Sequence, residues 1–366
     1  MALTIADLLR DHWESYTREN FSKICTAHRR AVRNMLICRT SFLGGMVFRC
    51  TGCRKNHYAY HSCNHRNCPQ CGALDQKIWS AKQEARLLPV PYFMVTFTIP
   101  SELRGLCLAY PKELYGLMLK TSAAALKDVV ATKTKGGRCG FTSVLHTWGR
   151  QLQLHPHVHC IVPAAAFMEK SQKVIIPGKG DFLIHYLPLA ARFRSLMWRH
   201  LKNDYPEIYQ NLTSDQRRSL SARTPWNVNL RHVGSGGTAL RYLARYVKRS
   251  GFTAKRLIGY DARGMVMLKW TCSTTNKTSI IKLTPHEFIR RWLLHALPKG
   301  FGRIRHYGFM SGAAKKTRLR VRAYFGEMSE PLPKLPEKEP FTCPHCYGEL
   351  RFLRLIKRDC QDRGPP

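Results

Sequence analysis

The 366-residue sequence predicts an α+β chain in which a cysteine-rich metal-binding module precedes a larger sheet-containing region. Three observations predict this. Between Cys38 and Gly72 the composition turns to Cys, His, Asn and Arg, with two Cys-x-x-Cys pairs. Beyond that segment, β-branched and aromatic runs bounded by Pro or Gly recur as strands, P-V-P-Y-F-M-V-T-F-T-I-P being the first. Longer stretches with apolar positions at helical spacing alternate with them.

Residues 1–37 read as helical, with Ile5, Leu8, Leu9, Ala27, Val32 and Leu36 as the apolar positions. Residues 38–75 form the expected zinc module. Its pairs, Cys50/Cys53 and Cys68/Cys71, are separated by 14 residues, just below the roughly 15–20 of a zinc ribbon. These four are the expected tetrahedral set, with Cys63 first among a reserve of Cys38, His57, His61 and His65. So short a segment has too few large apolar residues to fold without metal.

The main region is expected over 88–255. After the first strand come a helix from Glu102 to about Val130, the breaker T-K-T-K-G-G-R-C-G, and strands Phe141–Trp148 and His157–Val162 as a hairpin. A second hairpin is expected over Lys173–Ile184, then helices at 188–203 and 205–220 and the strand W-N-V-N-L-R-H-V. G-S-G-G then leads into the helix T-A-L-R-Y-L-A-R-Y-V-K-R. Residues 256–330 continue the region with a hairpin, Met265–Trp270 and Ser279–Leu283, and a helix from Pro285 to Leu297. The basic stretch Lys315–Arg322 reads equally as helix or strand. Residues 331–366 comprise a Pro-rich linker and a tail carrying Cys343/Cys346.

Sixty Lys and Arg against 23 Asp and Glu give a formal charge of +37, spread along the whole length. Such a surface suits a polyanion, nucleic acid first. An anionic membrane is the weaker rival, because no isolated basic amphipathic helix or lipidation signal is present. With no apolar signal region and no run of about 18 apolar residues, the expected location is the cytoplasm. There the 14 cysteines suit zinc better than disulfides.

The chemistry concentrates in H-P-H-V-H. His157 and His159 flank Val158 in a strand, so both imidazoles fall on one face. If the hairpin pairs about a turn near residue 152 or 153, His146 stands opposite His159 or diagonal to His157 and supplies a third imidazole. Three neutral nitrogens with open positions suit a catalytic divalent ion. His155 is in phase but sits beside Pro156 at the strand mouth.

In the later helix, Leu240, Leu243, Ala244 and Val247 make one apolar stripe. Tyr242 and Tyr246 share another, among Arg241, Arg245, Lys248 and Arg249, which are candidate DNA contacts. A phenol beside cations can be drawn toward phenolate, the form that attacks phosphorus.

At these residues the chain resembles the HUH endonucleases, and within them the two-tyrosine rolling-circle transposases of the IS91 family of bacterial insertion sequences. The resemblance rests on C-T-G-C to S-C-N-H-R-N-C-P-Q-C, Y-F-M-V-T-F-T-I-P, H-T-W-G-R with H-P-H-V-H-C-I-V-P, Y-L-A-R-Y, L-P-K-G-F-G-R-I-R-H-Y-G and the closing C-P-H-C. It implies a central antiparallel sheet flanked by helices, Mg²⁺ or Mn²⁺ at His157 and His159, and Tyr242 and Tyr246 as nucleophiles. It also implies single-stranded DNA at the ends of a mobile element as substrate, and a bacterial, nucleoid-associated setting. Conjugative relaxases, which place a histidine at a similar distance before the pair, support His146. Met46 and Met94 stand where relatives carry histidine.

Other readings keep part of the pattern: a plasmid replication initiator or relaxase of the same chemistry, a metal-dependent hydrolase, or a zinc protein that only binds DNA. A hydrolase barrel would carry H-x-H on its first strand and later His and Asp ligands, without so basic a surface.

Overall fold

The computed structural model describes residues 3–178, 183–221, 226–247, 252–272, 275–337 and 341–358. Its centre is a five-stranded sheet of β3 (Tyr92–Thr98), β5 (Phe141–Trp148), β6 (Leu154–Pro163), β9 (Val228–His232) and β13 (Ile304–Tyr307), ordered β13-β5-β6-β3-β9. All four pairings are antiparallel.

Both faces of this sheet are covered, which is why its strands read as nearly continuous apolar runs. Val158, Cys160 and Val162 of β6 face a core shared with the helices Pro111–Lys133 and Tyr186–Asp204, through Leu117, Met118, Phe193 and Met197. The alternate residue Ile161 packs with Val144, Tyr92, Leu240 and Leu243 under the helix Gly237–Val247. By strand alternation, His157 and His159 belong to this second face.

Three smaller sheets surround the centre. One joins β4 (Arg138–Cys139), β7 (Ala166–Met168) and β8 (Lys173–Ile175) in the order β4-β7-β8. The hairpin expected over Lys173–Ile184 is therefore replaced, because β8 pairs upstream with β7. Its expected turn overlaps 179–182, outside the described residues. Another sheet contains β10 (Leu257–Tyr260), β11 (Val266–Thr271) and β12 (Thr278–Leu283). Val266 and Leu268 share a core with Leu8, Leu9 and Trp13 of the helix Ile5–Asn20 and with Phe288 and Trp292 of the helix Pro285–Leu293.

The last sheet crosses the length of the chain. β1 (Gly45–Cys50) pairs with β2 (Asn56–Tyr60) on one side and with β14 (Leu350–Ile356) on the other. The segment read as a tail thus returns to the cysteine module. Lys315–Arg322 resolves as part of the helix Lys315–Tyr324. Among the described residues no helix is long and apolar enough to cross a membrane.

Candidate active site

The β5–β6 hairpin closes through a short loop in which the Gly149 amide donates to the Gln153 carbonyl at 2.8 Å. Leu152 adopts a positive φ of 61° and is buried against the N-terminal helical core. A register shift between His146 and Trp148 brings His146 directly opposite His157. This corrects the expected register. The turn centres earlier than residue 152, because the extra loop residues gather at 149–153.

The three rings meet edge to face. Centroids are 5.2 Å apart for His146 and His157, 4.6 Å for His146 and His159, and 4.7 Å for His157 and His159. One ligand nitrogen from each lies within 4.8 Å of the other two. The Nδ1–H of His157 donates to the carbonyl of His155 at 2.7 Å, leaving Nε2 as the acceptor. Nδ1 of His159 lies 2.9 Å from Oγ1 of Thr96 on the neighbouring strand, which likewise turns Nε2 toward the other two imidazoles.

Burial holds all three rings neutral. It pushes His146 and His159 well below the ordinary histidine value, and each is further depressed by neighbouring imidazoles. His157 is lowered to about 4, again chiefly by burial. Three convergent neutral imidazoles, the His157 tautomer set by a backbone carbonyl, are a donor set that fits a divalent ion with coordination positions left open. His155 stands outside the trio, whose convergent nitrogens are those of His146, His157 and His159; its carbonyl accepts the hydrogen bond from His157.

Sequence reasoning missed the supports of this trio. Trp148 stacks on His146 at 5.1 Å and 15°, and meets His295 edge to face at 5.7 Å. His295 is buried; its Nε2–H donates to the Leu152 carbonyl at 3.0 Å, and its Nδ1 lies 3.1 Å from the Thr147 hydroxyl. It ties the hairpin turn to the helical core beneath. Thr96 is identified only by the β3–β6 register, which sets it opposite His159, and nothing local signalled His295, 148 positions from Thr147.

The tyrosine helix starts at a turn that only glycine permits. Gly236 has φ +81°, and a Cβ there would lie 2.7 Å from the Tyr92 ring. Ala239, Leu240, Leu243 and Ala244 are buried, as the apolar stripe required, whereas Tyr242 is 40% exposed. Its ring lies 6.4 Å from that of His159, at 84°. Tyr246 and Arg245 follow in the same helix, with side chains outside the described set, as are Lys248 and Arg249 altogether. Arg241 is drawn toward Glu84, at 3.6 Å, on the helix Ala73–Glu84.

The expected zinc set of Cys50, Cys53, Cys68 and Cys71 is divided. Cys68 and Cys71 converge with Cys38 and Cys63, and Cys50 and Cys53 converge with Cys343 and Cys346. In the first quartet Cys38 Sγ is 3.4 Å from Cys71 and 3.5 Å from Cys68, and Cys63 is 3.7 Å from Cys71. In the second, Cys50 is 3.4 Å from Cys346 and Cys53 is 3.6 Å from Cys343. A tetrahedral zinc with bonds of about 2.3 Å has sulfur–sulfur edges of about 3.8 Å, so both quartets fit that ion.

The physical reason for the division is the β1–β14 pairing, which carries the distant Cys-x-x-Cys to the β1–β2 turn. Gly348 allows the approach, since a Cβ there would lie 3.2 Å from Cys50 Sγ. His57, in reserve as a ligand, instead places Nε2 3.3 Å from Cys343 Sγ as an outer partner. His61 and His65 join neither quartet.

These features define a class: a protein with two cysteine quartets suited to structural zinc beside an antiparallel sheet that carries a histidine trio. Residues 8–99 match the family model described as a transposase zinc-binding domain, and residues 140–318 match that of a putative transposase. The chain belongs to the IS91 family of insertion-sequence transposases. It is 32% identical to the putative transposase y4qJ of Sinorhizobium fredii over 382 residues, covering 96% of this chain and 95% of that protein. It is 28% identical to the transposase for insertion sequence element IS801 of Pseudomonas savastanoi pv. phaseolicola, over 89% of this chain and 77% of that one. No solved structure matches the chain.

Proposed function

We propose that this transposase nicks and rejoins single-stranded DNA at the ends of its mobile element through a 5′-phosphotyrosine intermediate, as an HUH endonuclease acting in rolling-circle transposition. The observation that carries this is the placement of the exposed Tyr242 ring 6.4 Å from His159, one member of the convergent trio His146, His157 and His159. The trio would hold Mg²⁺ or Mn²⁺, which when bound polarises the scissile phosphate.

The chain supplies the rest. The buried trio presents neutral donors, and the helix Gly237–Val247 is fixed to the sheet by Leu240 and Leu243, so Tyr242 is held at the rim of the site. Its phenolic oxygen loses its proton and attacks phosphorus. The bond from phosphorus to the 3′ oxygen breaks, and that oxygen takes up a proton as a free 3′-OH. No water is consumed, so the phosphotyrosine retains the bond energy for rejoining. Tyr246, one helical turn on, provides a second phenol for transfer while the first DNA end remains attached.

The test is to incubate the protein with labelled single-stranded oligonucleotides from the flanks of its gene, with Mg²⁺ or Mn²⁺. A covalent adduct is expected, lost with EDTA, reduced by Tyr242→Phe or Tyr246→Phe and abolished in the double variant. An adduct that survives in the double variant would overturn the assignment.

A further inference from the structure

Arg303 is a buried cation, only 6% exposed, and among the described residues no carboxylate lies within ion-pairing distance of it. The charge that acts on it most is another cation, Arg66. Arg66 itself donates to the Phe301 carbonyl at 2.6 Å. Buried guanidinium groups without an acid are costly unless a partner arrives from outside the chain.

Space for that partner is present. Arg303 and Arg66 line a cavity of about 460 Å³ together with Arg30, Lys299, Asn34 and Asn64; the one carboxylate on its wall is the exposed Asp75. Forked guanidinium donors, an ammonium and side-chain amides match a phosphodiester. A second cavity, of about 750 Å³, shares Arg30, His65, Leu297, Pro298 and Lys299 with the first. Much of its wall is apolar, Leu108, Leu293 and Pro111 included, but the hydroxyl of the buried Tyr115, also on the wall, has no hydrogen-bond partner among the described residues. A cationic cavity adjoining a largely apolar one, with Tyr115 on the apolar wall, has the polarity of a nucleotide.

We propose that these adjoining cavities bind one nucleotide of single-stranded DNA, its phosphate against Arg30, Arg66 and Arg303 and its base turned toward Tyr115. The proposal rests on the single-strand reading above and places the strand relative to the histidines. The Leu145 amide donates to the Arg303 carbonyl at 2.8 Å, one residue before His146. Arg303 therefore couples the nucleotide cavity to β5, the strand that carries His146.

The test is fluorescence anisotropy of the full chain with labelled single-stranded oligonucleotides from the flanks of its gene, without added divalent ion, over a series of salt concentrations. A second series carries 2-aminopurine at successive positions. Arg303→Gln is expected to weaken binding about tenfold, the loss of a charged hydrogen-bond partner. It should also lower the salt slope by about 0.7. Arg30→Gln, at an exposed helix position that leaves folding unaffected, should act in the same direction. One 2-aminopurine position should brighten as its base leaves the stack, and Arg303→Gln should remove that signal. Wild-type binding with both arginine variants unchanged would overturn the cavity while leaving the single-strand reading intact. Weaker binding with no brightening at any position would overturn the nucleotide placement. Absence of wild-type binding would overturn both.

Discussion

Oγ1 of Thr96 lies 2.9 Å from Nδ1 of His159, on strands whose pairing sets the two residues directly opposite each other. One hydroxyl thereby fixes the ring orientation of a buried imidazole. Thr96→Val keeps the β-branched shape and removes the hydroxyl. The fold should persist, while affinity for Mn²⁺, measured by titration calorimetry, falls about ten- to hundredfold. Unchanged affinity would mean that Thr96 does not orient the ligand.

The cysteine quartets lead to a count. Zinc analysis by plasma mass spectrometry should find two ions per chain, one for each quartet. Cys346→Ser should remove one and Cys63→Ser the other. If Cys346→Ser leaves the zinc content unchanged, the C-terminal pair is not a ligand pair.

That count also marks where the sequence stopped being legible. Strands Phe141–Trp148 and Val228–His232 and the stripe of Leu240 and Leu243 follow from local periodicity, and each lies where its spacing placed it. The α+β class and the zinc module were legible for the same reason. The pairing of cysteines was not: Cys50 and Cys346 are 296 positions apart, and only the β1–β14 ladder brings them together. An unmatched Cys-x-x-Cys supplies half of a four-ligand site, the one signal that pointed to a distant partner. The histidine trio was readable as a set, but its register was not. That register depends on a loop whose Leu152 is held by His295, from the turn after the helix Pro285–Leu293.

The helix Gly237–Val247 should separate stability from chemistry. Leu243 is completely buried beneath it, so Leu243→Ala should cost about 2–5 kcal/mol in denaturant unfolding. Tyr242→Phe removes one hydroxyl from a ring that is 40% exposed and should change stability by less than about 0.5 kcal/mol. Equal losses in the two variants would contradict the placement of the two faces.

Glu287 provides a pH signature for the helix Pro285–Leu293. Hydrogen bonds from Arg290 and then Arg291 hold its carboxyl down to about 2. A carboxyl depressed in the folded state stabilises it above the unfolded value and loses that contribution as pH falls through the folded value. Wild type should therefore melt above Glu287→Gln at neutral pH, with the gap closing between about pH 4.5 and pH 2. A gap that stays constant over this range would contradict the carboxylate's role.

The most direct measurement of the central claim is the mass of the covalent peptide. Trypsin cleaves after Arg241, Arg245 and Lys248, so the two phenols fall on separate peptides, Tyr242–Arg245 and Tyr246–Lys248. After nuclease trimming of the oligonucleotide adduct, tandem mass spectrometry should find a nucleotide phosphate on one or both of these tyrosines. A nucleotide carried by any other peptide, or none on any peptide, would contradict the proposal that this helix supplies the nucleophile.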